Sequence, residues 1–279
     1  MICFPNAKIN LGLNITEKRS DGFHNIETVF YPINWCDALE AIENKSYRAG
    51  QEKLGLTISG VSIDGNATDN IINKAYILLD AKFKLPPIKA HLHKVIPMGA
   101  GLGGGSADGA FFIKLLNEKF NLNLSIEEKI NYARQLGSDC PFFIENKAVF
   151  ASGKGDVFTP VTVDLSPYYI MVVYPAIHSN TALAYKGVTP AKPEKNIKEI
   201  ILQPISTWKN TLKNDFERNL FTQYPELRSI KDTLYNKGAI YASMSGSGSA
   251  MYGIFEKDII VKDFNFPTDY LIWKSNAPY

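Results

Sequence analysis

The sequence predicts an α+β protein built as two domains. Three observations carry that reading. Strand-like and helix-like segments come in blocks without regular βαβ alternation, no internal repeat is present, and the 279 residues exceed the usual domain length of about 100–200. The division is expected near residues 145–165, giving domains 1–155 and 156–279.

An antiparallel pair is predicted first, over residues 8–15 and 26–33 with Ser20-Asp21-Gly22 as its turn, because apolar runs alternate with turn residues there. A short strand over 54–60 precedes a helix over 70–83, whose Ile71, Ala75, Leu78 and Leu79 share a face and whose cap is expected to be Asp69. Residues 88–96 read as strand. A glycine-rich run then opens a helix over 107–120, with Phe112, Leu116 and Phe120 on one side. Ser125 and Glu128 form a capping box for the next helix, which Gly137 should stop in a left-handed conformation. Strands return over 146–163 and in the apolar run 169–174. A charged, mobile connection is expected around Pro190 to Asn196, and helices over 206–222 and 225–236, the second stopped by Gly238. Strands over 239–244 and 250–255 flank the turn Ser245-Gly-Ser-Gly-Ser249.

Composition excludes several classes. With 45% apolar and 21% charged residues, the chain can bury a core without staples, so disorder is not its main state. A net charge of +2 exerts no broad pull on nucleic acid or anionic membrane, and no basic cluster with interleaved aromatics marks a nucleic-acid surface. Phosphate recognition must therefore be local. Cys3, Cys36 and Cys140 lack CxxC spacing, which argues against a disulfide framework and fits a reducing cytosol. The apolar run from Tyr168 to Ile177 is interrupted by Pro175 and is about half of a bilayer crossing. The N-terminal residues have no basic lead before a long apolar region, so no signal peptide is expected and the mature chain should start here.

The strongest chemical signal is Pro97-Met-Gly-Ala-Gly-Leu-Gly-Gly-Gly-Ser106. Five glycines within residues 99–105 let backbone amides converge on an anion and permit positive φ. The helix behind adds free N–H groups and its positive dipole end. A flexible tight turn is the plainer alternative, but strand, glycines and helix in succession favour a phosphate cradle. No Lys follows the last glycine, as a P-loop needs, and no acidic residue closes a following strand, as a Rossmann fingerprint needs. The HRD and DFG signatures of protein kinases are missing too.

This loop resembles the PxxxGLGSS nucleotide loop of the GHMP kinases, the family of galactokinase, homoserine kinase, mevalonate kinase and phosphomevalonate kinase. Asn6-Ala-Lys-Ile-Asn-Leu11 resembles the family's first element and Met244-Ser-Gly-Ser-Gly-Ser249 its third. The three stand in family order. Within the family, Asp21-Gly-Phe-His24, the triple glycine and Gly137-Ser-Asp-Cys-Pro-Phe-Phe143 resemble the branch acting on a cytidine-diphosphate substrate. The resemblance covers nearly the whole chain. It implies a first domain like ribosomal protein S5 domain 2, a ferredoxin-like second domain and an active site between them. It implies transfer of the ATP γ-phosphoryl group, with Mg²⁺, to the 2-hydroxyl of cytidine-diphosphate methylerythritol in the non-mevalonate isoprenoid route. A cytoplasmic monomer or weak homodimer is expected, with no nucleic-acid or membrane partner. A homoserine- or phosphomevalonate-type kinase is the alternative, and Asp21-Gly-Phe-His24 argues against it. A silent nucleotide-binding regulator could dispense with Lys8 and Asp139, and both are present.

The resemblance also implies residue roles. Asp139 is the candidate general base, since an alcohol is far from ionised at neutral pH; on sequence alone a helix cap is as good a reading. Lys8 would favour the ionised base and stabilise charge on the alcohol oxygen, whereas a lone strand lysine usually reaches solvent. ATP would be held by Pro97, Met98, Gly99, Ala100, Gly101, Leu102, Gly103, Gly104, Gly105, Ser106 and Ala107, with Asn70 and Lys94 at the base. For Asn70 and Lys94 the plain readings are a helix-end residue and a solvated strand lysine. Ser106 is a candidate Mg²⁺ contact or a helix cap. Asn10, on the strand face of Lys8, would bind the polyol. His24 would read cytosine beside Phe23, opposite Thr181 and Tyr185; without the family, a histidine near a turn is a surface residue. The family usually has Phe at the place of Tyr185, Tyr at that of Phe23 and Thr within the third element, and each replacement here keeps a ring or a hydroxyl. His91 and His93 share a strand face, with no third metal ligand of suitable spacing.

Overall fold

The structure, a computed structural model, describes residues 1–62, 70–179, 181–257 and 264–275. Along the chain come β1 (Ile2–Cys3), β2 (Asn6–Lys18), β3 (His24–Cys36), β4 (Ala38–Glu43), β5 (Leu54–Gly60), α1 (Ile71–Phe83), β6 (Ile88–Lys94), α2 (Gly104–Lys119), α3 (Ile126–Leu136) and α4 (Phe142–Glu145). There follow β7 (Val149–Ser152), β8 (Val157–Pro160), β9 (Tyr168–Tyr174), α5 (Thr181–Lys186), α6 (Ile197–Ile201), α7 (Trp208–Thr211), α8 (Phe216–Gln223), α9 (Pro225–Asn236), β10 (Tyr241–Met244), β11 (Met251–Glu256) and β12 (Leu271–Lys274). The chain forms two compact units, Met1–Ala7 with Asn34–Met98 and Gly103–Lys147, and Lys8–Ile33 with Gly99–Leu102 and Ala148–Tyr279.

The first unit holds the sheet β1-β4-β6-β5, in which β5 alone runs parallel to its neighbour β6. Strand β6 has the period-2 pattern of a half-buried strand: Ile88, Ala90, Leu92 and Lys94 are buried, Lys89, His91 and His93 exposed. Helices α1 and α2 pack on each other, closely enough that a Cβ on Gly109 would lie 2.8 Å from Ile71 Cγ1, and Ile72, Ala75 and Leu79 on one and Ala110, Phe112 and Ile113 on the other are buried. Asn70 caps α1, its side chain accepting the Ile72 amide at 2.9 Å. Asp69, the expected cap, lies outside the described residues.

The second unit contains the sheets β2-β3-β7-β8 and β10-β11-β9-β12. Strand β9 is buried from Tyr169 to Val173, as a continuous apolar run demands when both faces are covered. Met171 and Val173 pack in a core with Leu13, Ile15, Phe216, Leu220, Leu227 and Leu234.

Three local readings are corrected. Gly137 ends α3 at φ 170, an extended conformation and not the left-handed one. The helix after the glycine-rich run begins at Gly104, three residues early, because Gly103 turns the chain at φ 71 and leaves the first amides open. The helix expected over 206–222 is broken between α7 and α8: Asn214 Nδ2 is engaged with the Met244 and Gly246 carbonyls, and the Asp215 carboxylate accepts the Ile15 amide at 2.7 Å.

Candidate active site

In the first unit, buried charge fixes both flanks of the glycine-rich run. Lys94 is 1% exposed, so it is not a solvated strand lysine. Its ammonium donates to Asp37 and, at 2.9 Å, to Asp108 of α2. Asp37 Oδ1 also accepts the Val95 and Ile96 amides at 2.6 and 2.8 Å, closing the end of β6 just before the loop. Burial pushes the Asp108 carboxyl up to about 8, against the lowering pull of Lys94. Such a cluster is tolerable inside a protein only when its charges bond one another. A Cβ on Gly104 would lie 2.8 Å from Ile96 Cγ2 and 3.1 Å from Lys94 Nζ, so the start of α2 rests directly on the end of β6.

The N-cap Gly103 makes no side-chain cap bond, leaving the first amides of α2 and its positive end available to an anion. Ser106 lies inside the helix, which removes the cap reading. Burial pushes the Cys140 thiol up to about 12, against the lowering pull of the Ser106 hydroxyl. Ser106 and the segment carrying Asp139 are thereby brought together. Asp139 is half-buried between α3 and α4 and accepts from Ser138 Oγ at 3.3 Å. It caps neither helix, since Pro141 precedes α4.

In the second unit Lys8 is 3% exposed and does not reach solvent. Its ammonium donates to Asn10 Oδ1 at 2.6 Å and to the Gly101 carbonyl at 3.1 Å, so the shared strand face expected for Lys8 and Asn10 is a direct bond. Asn10 Nδ2 donates to Thr28 Oγ1 at 2.9 Å, and the Asn10 amide donates to Ser245 Oγ at 3.2 Å. Ser245 Oγ in turn donates to the Gly101 carbonyl at 2.8 Å, and the Lys8 amide to the Leu102 carbonyl at 2.9 Å. Lys8 of the N-terminal element and Ser245 of the C-terminal one thus converge on one carbonyl of the loop. Lys8→Met would leave the buried Asn10 Oδ1 short of a donor and the Gly101 carbonyl with Ser245 Oγ alone. The expected loss is about 1–3 kcal/mol of folding stability, checked by urea denaturation.

The substrate-side residues also lie in this unit. His24 stacks on Tyr185 with ring centroids 4.9 Å apart and an 18° interplanar angle, so it is not a free surface histidine. Tyr185 is steadied edge-on by Phe216 at 4.9 Å. Phe23 is 59% exposed beneath the Lys154 ammonium, 5.0 Å from the ring centroid. Thr181 opens α5 with its hydroxyl 3.0 Å from Ser247 Oγ.

His91 and His93 do share the exposed face of β6, where both bond Ser59 Oγ, at 3.0 and 2.9 Å. Among the described residues, no group of three or more His, Cys, Asp or Glu could hold a metal ion. No helix among them is long and apolar enough to cross a membrane.

Sequence reasoning missed Asp37, Asp108, Thr28 and Cys140. An acidic residue inside each of two apolar stretches, Trp35-Cys-Asp-Ala-Leu39 and Ala107-Asp-Gly-Ala-Phe111, was the available signal for the first two. Thr28 and Cys140 gave no such signal.

The family model described as "GHMP kinases N terminal domain" matches residues 70–147, and "GHMP kinases C terminal" matches residues 196–263. The 4-diphosphocytidyl-2-C-methyl-D-erythritol kinase of Bacteroides fragilis is 54% identical over 95% of this chain and 96% of its own length. The chain belongs to the GHMP kinases. The like-named protein of Bacteroides thetaiotaomicron is 50% identical to this GHMP kinase over 98% of the chain and 99% of its own length. A crystal structure of 4-(cytidine 5'-diphospho)-2C-methyl-D-erythritol kinase superposes with a TM-score of 0.73 at 29% identity, covering 91% of this chain and 90% of the other. The expected two-domain α+β fold class stands.

Proposed function

We propose that this GHMP kinase transfers the γ-phosphoryl group of ATP to the 2-hydroxyl of 4-diphosphocytidyl-2-C-methyl-D-erythritol, a step in isoprenoid precursor synthesis. The observation that carries the reading is the convergence of Lys8 and Ser245 on the Gly101 carbonyl, with Asn10 bonded to both side chains, in a chain whose relatives bear that kinase's name. The substrate oxygen forms a bond to phosphorus, ADP leaves, and the hydroxyl proton passes to Asp139. Lys8 supplies the positive charge that stabilises the attacking oxygen. The loop from Pro97 to Ala107 holds the phosphates, with Asn70 toward the base; the Lys94 side chain, expected there, is instead buried on Asp37 and Asp108 and leaves only its backbone for that contact. Asn10 binds the polyol, and Phe23, His24, Thr181 and Tyr185 bind the cytidylyl group.

Mg²⁺ arrives with the nucleotide in this reading. Magnesium keeps several waters and takes substrate phosphate oxygens, so a donor as sparse as the Ser106 hydroxyl fits it. The division at 155/156 and a cytoplasmic location are part of the proposal, the latter supported by three free cysteines. A substrate panel with ATP tests it. The cytidylyl substrate is expected to be phosphorylated, and homoserine and phosphomevalonate left unchanged; the reverse result refutes the assignment.

Tyr185→Ala is expected to raise KM for the cytidylyl substrate about tenfold, since base stacking on an aromatic is worth about 1–3 kcal/mol. KM for ATP should stay within about twofold, and steady-state kinetics with each substrate varied in turn checks both.

A further inference from the structure

We infer that His178 is a phosphate-contacting residue of this kinase, binding a phosphoryl oxygen of the nucleotide or of the substrate's diphosphate bridge. The inference rests on the reading of residues 97–107 as the nucleotide loop and adds a residue that reading does not contain. Its first support is position. A Cβ on Gly99 would lie 2.7 Å from His178 Cε1 and 2.8 Å from its Nδ1, so the imidazole sits directly on the first glycine of the loop.

Its second support is that the ring has no internal use. His178 is exposed, and neither ring nitrogen has a hydrogen-bond partner among the described residues. A histidine kept for packing would be buried or bonded. The backbone on either side is pinned. The Ile177 carbonyl accepts from Ser249 Oγ, and Ser179, 5% exposed, donates its hydroxyl to the Ser247 carbonyl at 2.7 Å. Ala176 turns the chain in the left-handed region at φ 59 to reach this path, a conformation that non-glycine residues adopt only when their surroundings impose it. The backbone that carries the ring is therefore fixed beside the loop before any ligand arrives, which reduces the ordering cost of binding.

Its third support is chemical complementarity. The segment Gly99–Leu102 carries Lys8 at Gly101, and that ammonium already spends hydrogen bonds on Asn10 and the Gly101 carbonyl. His178 offers an uncommitted N–H at the other end of the segment. Triphosphate and diphosphate groups present several anionic oxygens, more than neutral amides alone can match, and charge-assisted hydrogen bonds to such oxygens are the stronger kind.

The test uses the purified full-length enzyme and its His178→Ala, His178→Gln and His178→Arg variants, with KM measured separately for Mg-ATP and the cytidylyl substrate. His178→Ala should raise one KM about tenfold, equivalent to about 1.4 kcal/mol, with the other KM and the melting temperature unchanged. His178→Gln or His178→Arg should recover part of the loss. A raised KM for ATP assigns the contact to the nucleotide, and a raised KM for the other substrate assigns it to the diphosphate bridge. Both KM values unchanged in His178→Ala, or both raised together with a lowered melting temperature, overturns the inference. Should the wild-type enzyme not turn over the cytidylyl substrate, the proposed function fails on its own. Calorimetric titration of wild type and His178→Ala with tripolyphosphate then decides the contact, equal affinities overturning it.

Discussion

Asp139→Asn is expected to lower kcat by about 10²-fold or more, the usual contribution of a positioned general base, while KM for ATP stays within about twofold. The substitution keeps the shape of the side chain and removes its capacity to take a proton. Asp139 is half-buried in the turn between α3 and α4 and is bonded there by Ser138 Oγ at 3.3 Å, a contact that an asparagine oxygen can also accept. Folding should therefore survive the change, with the melting temperature close to that of the wild type. This combination separates a chemical role from a structural one. Pre-steady-state measurement of ADP formation reads the chemical step directly, and near-normal turnover in Asp139→Asn would remove the base from the mechanism.

Gly101→Ala should have the other large effect, on nucleotide binding. Gly101 adopts φ +79, and an added Cβ would meet the Ser245 carbonyl oxygen at 2.0 Å and its carbon at 2.9 Å. Both obstacles are backbone, so either the loop or the 245–249 turn has to move. The same residue's carbonyl accepts from Lys8 and Ser245, and displacement breaks both bonds. The expected outcome is a KM for ATP raised tenfold or more, the equivalent of about 1.4 kcal/mol, together with about 1–3 kcal/mol of lost stability. Gly22→Ala is the matched control. Gly22 has φ +85 with nothing within 4 Å of its added Cβ, so it carries the conformational strain without the collision. If Gly101→Ala and Gly22→Ala behave alike in KM and melting temperature, the close approach of loop and turn is not what fixes the loop.

What could be read from the sequence was local, and what could not was decided at a distance. The capping box at Ser125 and Glu128 is present in full because its partners are three residues apart. Strand β9 was legible as an uninterrupted apolar run. Strand β4, with the sequence Ala-Leu-Glu-Ala-Ile-Glu, has only Ile42 among strand-favouring residues and forms through pairing with β6. The break between α7 and α8 depends on Asn214 and Asp215 bonding Met244, Gly246 and Ile15, far off in the chain.

The same division runs through the site. The three family elements were visible as motifs, and so was the periodic relation of Lys8 to Asn10. The burial of Lys94 was not, because it depends on Asp37, 57 residues away. Nor was the stack of His24 on Tyr185, since ring partners leave no mark on spacing. Gly137 shows that even a local signal can mislead: glycine permits a left-handed stop without requiring one, and here the backbone is extended.

Phosphorylation of a cytidine-diphosphate polyol by this GHMP kinase, with ATP as donor, is open to a simple test. A coupled assay of ADP release, run with 4-diphosphocytidyl-2-C-methyl-D-erythritol present and then omitted, tests it most directly. ADP formation is expected to depend on that substrate and to match phosphorylated product one for one. ADP release at the same rate without the substrate, or none in its presence, would contradict it.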